Sequence, residues 1–457
     1  MESLWRKQTH IPSTESTDTQ VTSDPSIVHY HRDVIVIGAG MAGLLIAYYL
    51  KEHGKNVLVL EADVIASGQT ERTTAKITSQ HALKYSKLIK QLGIEKARMY
   101  AQANEGAIRE YERLIQSKGI ECQFERLNAY LYTLQDDDQV EEEAKAALSL
   151  GIDASVTRET ELPFSIESAV CFQNQAQFSP LEFIGHIASE LEILEHTQVT
   201  TIKGNQVLTS RGAFSADKIV VATHYPLLNV PGFYFLRQHQ ERSYVLALSG
   251  CKKLEGMYYG IDQGGLSLRQ AGDVLLLGGS GHRTGKNEAG GAYDALLRAA
   301  RQYFPEGSEV TRWSAQDCMP HDGIPFIGKY SIFTPNLYVA TGFQKWGMTT
   351  SMIAAMILRD ELCEIENPYI KLFSPQRMNV RAGIGNLLLD IGMSVKGLVK
   401  GLFYRMQKKP YCAHMGCALT WNPDEESWDC PCHGSRFEAD GKLLDNPAKK
   451  CARIEKL

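Results

Sequence analysis

The stretch that most constrains the fold is Asp33-Val-Ile-Val-Ile-Gly38, continued without a break by Ala39-Gly40-Met-Ala-Gly43 and the apolar run Leu44 to His53. A short uninterrupted apolar segment suits a strand buried on both faces of a parallel sheet. The run behind it reads as a helix stopped by Gly54, after which Lys55-Asn-Val-Leu-Val-Leu-Glu61 supplies a second strand ending in an acid. Each part of this β-α-β unit has a physical task. Gly38 permits the tight turn, Gly40 lets the backbone approach a pyrophosphate, and Gly43 lets helix and strand pack closely. The helix N-terminus offers free N–H groups and the positive end of its dipole to phosphate. Glu61 is placed to accept hydrogen bonds from a ribose. The unit predicts dinucleotide binding.

The length of 457 residues leaves room for about three domains. A chain 44% hydrophobic and 22% charged is neither disordered nor fibrous. A net charge of −5 gives no reason to expect nucleic acid as a partner. No apolar stretch reaches the roughly 18 residues of a membrane span, and the Ser/Thr/Asp-rich segment from Met1 to about Val28 lacks the apolar centre of a secretory signal. A cytoplasmic location is expected. Cys122, Cys171, Cys251, Cys318 and Cys363 are scattered and read as small buried residues.

Which dinucleotide binds is decided further along. A small-residue loop, Ala66 to Lys76, follows Glu61 where a nicotinamide domain has its next helix. Asp217-Lys-Ile-Val-Val-Ala222-Thr223-His224 and Asn336-Leu-Tyr-Val-Ala340-Thr341-Gly342 are two later strands ending in turns. The second runs through Phe343-Gln344-Lys345-Trp346-Gly347 into an apolar helix, Ser351 to Leu362. Long insertions between such elements fit a discontinuous flavin domain. From about Asp33 to Leu362 the chain resembles the D-amino-acid-oxidase-like (glycine/sarcosine oxidase) superfamily of FAD enzymes. The resemblance implies FAD contacts at Gly38, Gly40, Gly43, Glu61, Thr74, Gly342 and Gly347. His224 stands where that family has glycine.

Between these elements, about Ser86 to Leu134 reads as mostly helical, closing with the strand-like Ala129–Thr133. About Arg237 to Arg312 alternates like an antiparallel sheet, the floor of the substrate cavity in the family. Leu277-Gly278-Gly279-Ser280-Gly281 resembles a second nucleotide loop, but His282 to Asn287 continues polar with no apolar helix, so a hairpin or loop is preferred. Candidate catalytic residues are Arg269, as a bidentate clamp for a carboxylate, and Lys345 and Trp346, inside the flavin-covering turn. Sarcosine-type relatives carry a basic residue just after the glycine matching Gly347. This chain has Met348-Thr349-Thr350 there, which argues against an ordinary amino-acid substrate.

The other five cysteines crowd into the last 46 residues. Cys412-Ala-His414 and, fifteen residues on, Cys430-Pro-Cys432-His433 offer two thiolates and two imidazoles, a set that suits zinc or an iron–sulfur centre. Two further cysteines, Cys417 and Cys432, lie one behind each pair, and a zinc finger has no use for them. The motif closely resembles the respiratory-type Rieske pattern. That resemblance implies a [2Fe-2S] cluster with Cys412 and Cys430 on one iron, His414 and His433 on the other, and a Cys417–Cys432 disulfide. Neutral imidazoles in place of two thiolates raise the potential, to about −150 to +300 mV across such centres. Phe437 replaces the tyrosine of high-potential members, which predicts the lower or middle part of that range.

The strands that normally precede the first ligand loop are missing, so the Rieske domain is expected to be truncated. In their place, Gln376 to Lys409 reads as a glycine-interrupted helix with Leu387, Ile391, Val395, Val399 and Leu402 on one stripe. It holds Arg377, Arg381, Lys396, Lys400, Arg405, Lys408 and Lys409 against one acid, Asp390. A basic amphipathic segment can lie on a membrane surface; a linker helix packed on the flavin domain, its lysines solvated, is the preferred reading.

The expected fold class is α/β, a Rossmann-like FAD-binding domain with an inserted α+β substrate domain and a small all-β cluster domain. Expected boundaries are a polar tail over 1–28, the FAD domain over 29–85, 166–232 and 313–375, the substrate domain over 86–165 and 233–312, the linker over 376–407 and the Rieske domain over 408–457. The expected activity is oxidation of a small amine, amino acid or related C–N substrate by hydride transfer to FAD. Electrons then pass singly through the cluster to a redox partner protein or other acceptor. The alternatives are a reductase fed by an external donor through the cluster, and a redox-sensing protein without turnover.

Overall fold

A computed structural model describes residues 1–13, 28–135, 138–377 and 380–454, without the side chains of 28–30, 380–389 and 391. Its first sheet is built on the apolar run. Val28–Ile37 pairs in parallel with Val57–Leu60 on one side and with Gly212–Val221 on the other. Leu337–Thr341 adds in parallel beyond Gly212–Val221, Ile193–Leu194 beyond Val57–Leu60, and Phe326–Lys329 closes one edge antiparallel. Alternate residues of the first strand enter separate cores, Val34 and Val36 on one face and Ile35 and Ile37 on the other. Burial on both faces is why the segment carries no polar alternation. Helix Met41–Glu52 leaves directly from the glycine turn and is buried along most of its length beside Gly347–Leu362.

The second sheet runs in the order Ser308–Pro320, Gln238–Ser249, Val274–Arg283, Ser267–Ala271, Met257–Gly260, Glu125–Thr133, Ser168–Gln177, Lys76–Ile77, with Ala154–Thr157 also on Ser168–Gln177. All its pairings are antiparallel except Met257–Gly260 with Glu125–Thr133. Sheet pairing cuts the chain differently from the expected boundaries. Lys76–Ile77, Ser168–Gln177 and Ser308–Pro320 join this sheet, because their backbone bonds go to its strands. The glycine-rich segment Leu277–Gly281 lies inside strand Val274–Arg283, so it forms no nucleotide loop. Helices Tyr85–Leu92 and Ile94–Lys118 occupy the segment expected to be helical.

A third, four-stranded antiparallel sheet (Thr420–Asn422, Ser427–Asp429, Arg436–Phe437, Leu443–Asp445) makes the small C-terminal module around Leu419, Phe437 and Ala448. The mixed α/β class with a small all-β C-terminal unit agrees with expectation.

Two segments differ from it. The start of the expected polar tail is a docked helix, Leu4–Gln8. Leu4 and Trp5 are buried, the Trp5 indole donates to Thr73 O at 2.7 Å, and Arg6 pairs with Glu71 at 2.7 Å. Residues 14–27 lie outside the described residues. The linker is a helix, Val380–Met406, but Val395, Val399 and Leu402 of its apolar stripe are exposed. The side chains of Leu387, Ile391 and Arg381 lie outside the description. Among the described residues no helix is long and apolar enough to cross a membrane.

Candidate functional site

A cavity of about 400 Å³ opens where the strands of the first sheet end. Gly38, Gly40, Glu61 and Gly347 line it. Gly38 has φ +107°, and a Cβ there would stand 2.7 Å from Ala222 O, so the turn admits no side chain. A Cβ on Gly40 would stand 3.2 Å from Thr70 Oγ1 and narrow the phosphate approach. Gly43 lies beneath the wall, where a Cβ would collide with Gly38 O; its task is packing. Glu61 accepts from Ala39 N at 2.7 Å and Asp63 N at 3.0 Å, and burial raises its carboxyl above the usual range. Thr74 and Gly342 are not on the wall; their neighbours Thr73, Thr341 and Phe343 are. The cradle fits a dinucleotide, at a helix start where Gly40 supplies no side-chain cap and Met41 N donates to Thr70 Oγ1 at 2.8 Å.

Arg269 does not reach this cavity. Its buried guanidinium donates to Thr74 O (2.8 Å), Ala75 O (2.9 Å), Phe178 O (3.3 Å) and Gln270 O (3.0 Å) and lies over the Trp5 ring. With Nε and Nη1 on carbonyls it holds the loop after Glu61, away from the cavity. Trp346 also lies off the wall, stacked on His81 with ring centroids 4.7 Å apart and tilted against Tyr259. Lys345 does line the cavity, 3.3 Å from Asp317 and 3.4 Å from Glu241. Those two acids are direct cross-strand partners, and like charges so placed repel. Burial would lower the Lys345 ammonium, but the two carboxylates outweigh it and raise it. Glu241, which burial would raise, is held down to about 2 by His239 and Lys345.

His224 lines the same cavity at φ +63°, in the left-handed region where the family's glycine would sit without strain. Its Nε2 is buried without a hydrogen bond, and burial lowers its pKa, leaving a neutral imidazole.

In the C-terminal module the two ligand loops face each other. The Cys412 and Cys430 thiols are in contact, with Cys430 held well below the usual thiol range, mainly by hydrogen bonds from Cys412 and Cys417. The His414 and His433 rings meet edge to face, 5.0 Å apart. His414 Nδ1 and both His433 ring nitrogens are buried with no hydrogen-bond partner. Burial lowers both imidazoles, His414 to about 4, so they are neutral, the form that binds metal. Orphaned imidazole nitrogens beside converging sulfurs fit a two-cysteine, two-histidine iron–sulfur centre. Cys417, Cys430 and Cys432 have sulfurs within 4.8 Å of one another. Cys417 and Cys432 are thus in reach for the implied bridge, and all ten cysteines are unbridged.

The sequence reading missed how the rest of the molecule holds this module. Leu443 to Lys449 line the dinucleotide cavity itself. Asn446 Nδ2 donates to Thr223 O and Tyr225 O, both at 3.1 Å. Gln240 Nε2 donates to His433 O at 2.7 Å, and Gln316 Nε2 to Gly434 O at 2.9 Å. Asn229 Oδ1 lies 2.8 Å from His414 Nε2, fixing the ring with Nδ1 free. Arg242 pairs with Glu425 at 2.9 Å, and Asp424 caps helix Ala292–Tyr303 through Ala292 N at 3.0 Å. These contacts hold the module against the strands and loops of the two larger sheets. One signal was available: Gln238-His-Gln-Glu-Arg242 puts polar residues on both faces of a strand, and Gln238, Gln240 and Arg242 are buried. His239, His321 and Asp390 also converge within 4.8 Å. Because Arg283 pairs with Asp390 and donates to Pro431 O and Cys432 O, this is an ion-pair knot tying the linker helix to the second ligand loop.

Comparison with known proteins follows the same division. The family model described as FAD dependent oxidoreductase matches residues 33–361, and that described as Rieske [2Fe-2S] domain matches 407–456. The "Putative Rieske 2Fe-2S iron-sulfur protein YhfW" of Bacillus subtilis (strain 168) is 32% identical over 98% of this chain and 96% of its own length. Among solved structures, glycine oxidase from Geobacillus kaustophilus superposes with a TM-score of 0.65 at 18% identity, covering 77% of this chain and all of that one. L-Proline dehydrogenase from P. horikoshii gives 0.64 at 16% identity, covering 76% and 97%. Similarity at that identity speaks for the fold.

Proposed function

The chain belongs to the FAD dependent oxidoreductase family and carries a Rieske [2Fe-2S] domain; from that premise we propose that it oxidises a small amine, amino acid or related C–N compound and delivers the electrons singly to an external acceptor. The observation that carries this reading is the shared wall. The glycine turn and Leu443 to Lys449 bound one cavity, and Gln240, on a strand beside that cavity, is bonded to the peptide of His433. When bound, FAD supplies hydride acceptance and the cluster one-electron transfer.

The chain's own groups do the rest. The start of helix Met41–Glu52, with Gly38 and Gly40, binds the pyrophosphate, and Glu61 receives the ribose. Cys412, Cys430, His414 and His433 hold the cluster, and Asn229 orients His414. His224, which lines the wall and is kept neutral by burial, takes the proton that a protonated amine must lose before its C–H bond is oxidised. Lys345 is already neutralised by Asp317 and Glu241, and Arg269 does not line the cavity. The preferred substrate is therefore an amine that needs no carboxylate clamp, in accord with Met348-Thr349-Thr350. Glycine oxidase and L-proline dehydrogenase, which share the fold, are named for C–N compounds, which supports the substrate class.

The test is an anaerobic screen of amines and amino acids that follows flavin absorbance. Bleaching by a C–N compound is expected, with simple amines ahead of their carboxylated analogues. Bleaching only by a one-electron protein donor would reverse the direction of flow and overturn the proposal.

A further inference from the structure

A helix that only bridges two packed modules should turn its apolar side inward. Between Val395 and Met406 the linker helix does the reverse. Gly397 and Gly401 face the ligand loops so closely that a Cβ would collide with Cys432 Sγ and Gly416 O, and Ala418 N donates to Gly397 O at 3.1 Å. At about 100° per residue, the opposite side carries Val395, Val399, Leu402, Phe403 and Met406, between 49% and 82% exposed. Exposed Lys396 and Lys400 flank this stripe on one side and Arg405 on the other, with Lys408 and Lys409 just beyond. In a chain of net charge −5 this is a local concentration of positive charge.

A second apolar group stands beside it. Ile332 and Phe333, at a turn tip, are 73% and 78% exposed, and Val230 and Phe233 project from the loop before Tyr234–Leu236. Tyr330 Oη donates to Leu228 O at 2.5 Å and Tyr234 Oη to Tyr330 O at 3.0 Å, holding these loops together. Tyr234–Leu236 lies against the linker helix, and Asn229 reaches His414. The two exposed apolar groups thus belong to elements that touch each other, and exposed apolar surface of this kind marks an interaction surface.

We propose that this face docks on an anionic lipid surface. Apolar side chains on a helix flanked by cations fit the boundary between acyl chains and phosphates, with lysines extended to the headgroups. A second copy of the chain fits poorly, because a two-fold contact would set the two basic flanks against each other. Docking on this face sets the helix between the lipid surface and the ligand loops that Gly397 and Gly401 pack against.

Co-sedimentation of the full-length holoprotein with vesicles tests this. Vesicles of phosphatidylcholine mixed with phosphatidylglycerol should retain the protein at least roughly tenfold better than phosphatidylcholine alone, the advantage falling as salt rises. Val399→Glu with Leu402→Glu should lower that binding about tenfold with flavin and cluster absorbance unchanged. Lys396→Gln with Lys400→Gln, which leaves the packed face untouched, should lower it too. No binding to the mixed vesicles, unaltered binding of both variants, or a wild-type dimer that either variant dissociates would overturn the proposal.

Discussion

His224 shows how one side chain can be readable as a departure and unreadable as a function. Its place at a strand end after Ala222-Thr223 is plain in the sequence. That its ring would be neutral on a cavity wall depends on burial, which outweighs the opposing pull of Asp317, Asp445 and Gln240 from other parts of the chain. His224→Asn, whose side chain tolerates positive φ, should fold, bind FAD, and bleach with substrate roughly a hundredfold more slowly. Because burial lowers the pKa, the base form persists below the ordinary value of about 6.5. The wild-type bleaching rate should therefore hold as pH falls to that point and drop only beneath it, a limb absent from the variant. Lys345 is the opposite case: its position in the turn was legible, its two acidic partners were not. Lys345→Met leaves Asp317 and Glu241 facing each other in a half-buried site and should destabilise the protein in denaturant unfolding, by less than the ~3–5 kcal/mol of a fully buried pair. Asp317→Asn in that background should restore part of the loss. Full stability in Lys345→Met would contradict the neutralising role.

Among the elements, the glycine turn, the strands around it and the two ligand loops follow from local pattern, since each is specified by residues close in sequence. Strand Gln238–Ser249 and the linker helix do not. The polar alternation in the former has meaning only once the C-terminal module covers it, and the glycines of the latter look like helix breakers until Gly397 and Gly401 are seen against the ligand loops. Gly401→Ala should push the first loop away and lower iron and acid-labile sulfide content while FAD content stays at wild-type level. The Asp390 knot gives docking of this helix a pH dependence. Burial would raise Asp390, yet His239 and Arg283 hold it down to about 2. Its contribution is complete above the unfolded value of about 3.9 and is lost as pH falls toward 2. Burial would lower His239, but Asp390 and Glu241 raise it, so its contribution is complete below about 6.5 and is lost as pH rises through the raised value. His321, lowered by burial despite Asp390, works in the opposite sense. Hydrogen exchange of the linker helix should be slowest between those limits, and His239→Gln should flatten the alkaline limb.

At the scale of the whole molecule, the presence of a flavin unit and a cluster unit was legible from two motifs, but their mutual placement was not. The contacts that set it join residues far apart in sequence, such as Asn446 with Thr223, 223 positions away, and Gln240 with His433, 193 positions away. They turn two carriers into one wall. The direct measurement is anaerobic stopped-flow mixing with a bleaching substrate, recording flavin and cluster absorbance together over a range of protein concentrations. Cluster reduction should follow flavin bleaching at a rate independent of concentration, and Cys412→Ser should keep the bleaching while abolishing the second phase. A cluster that stays oxidised, a second phase that scales with concentration, or bleaching lost in Cys412→Ser would contradict it.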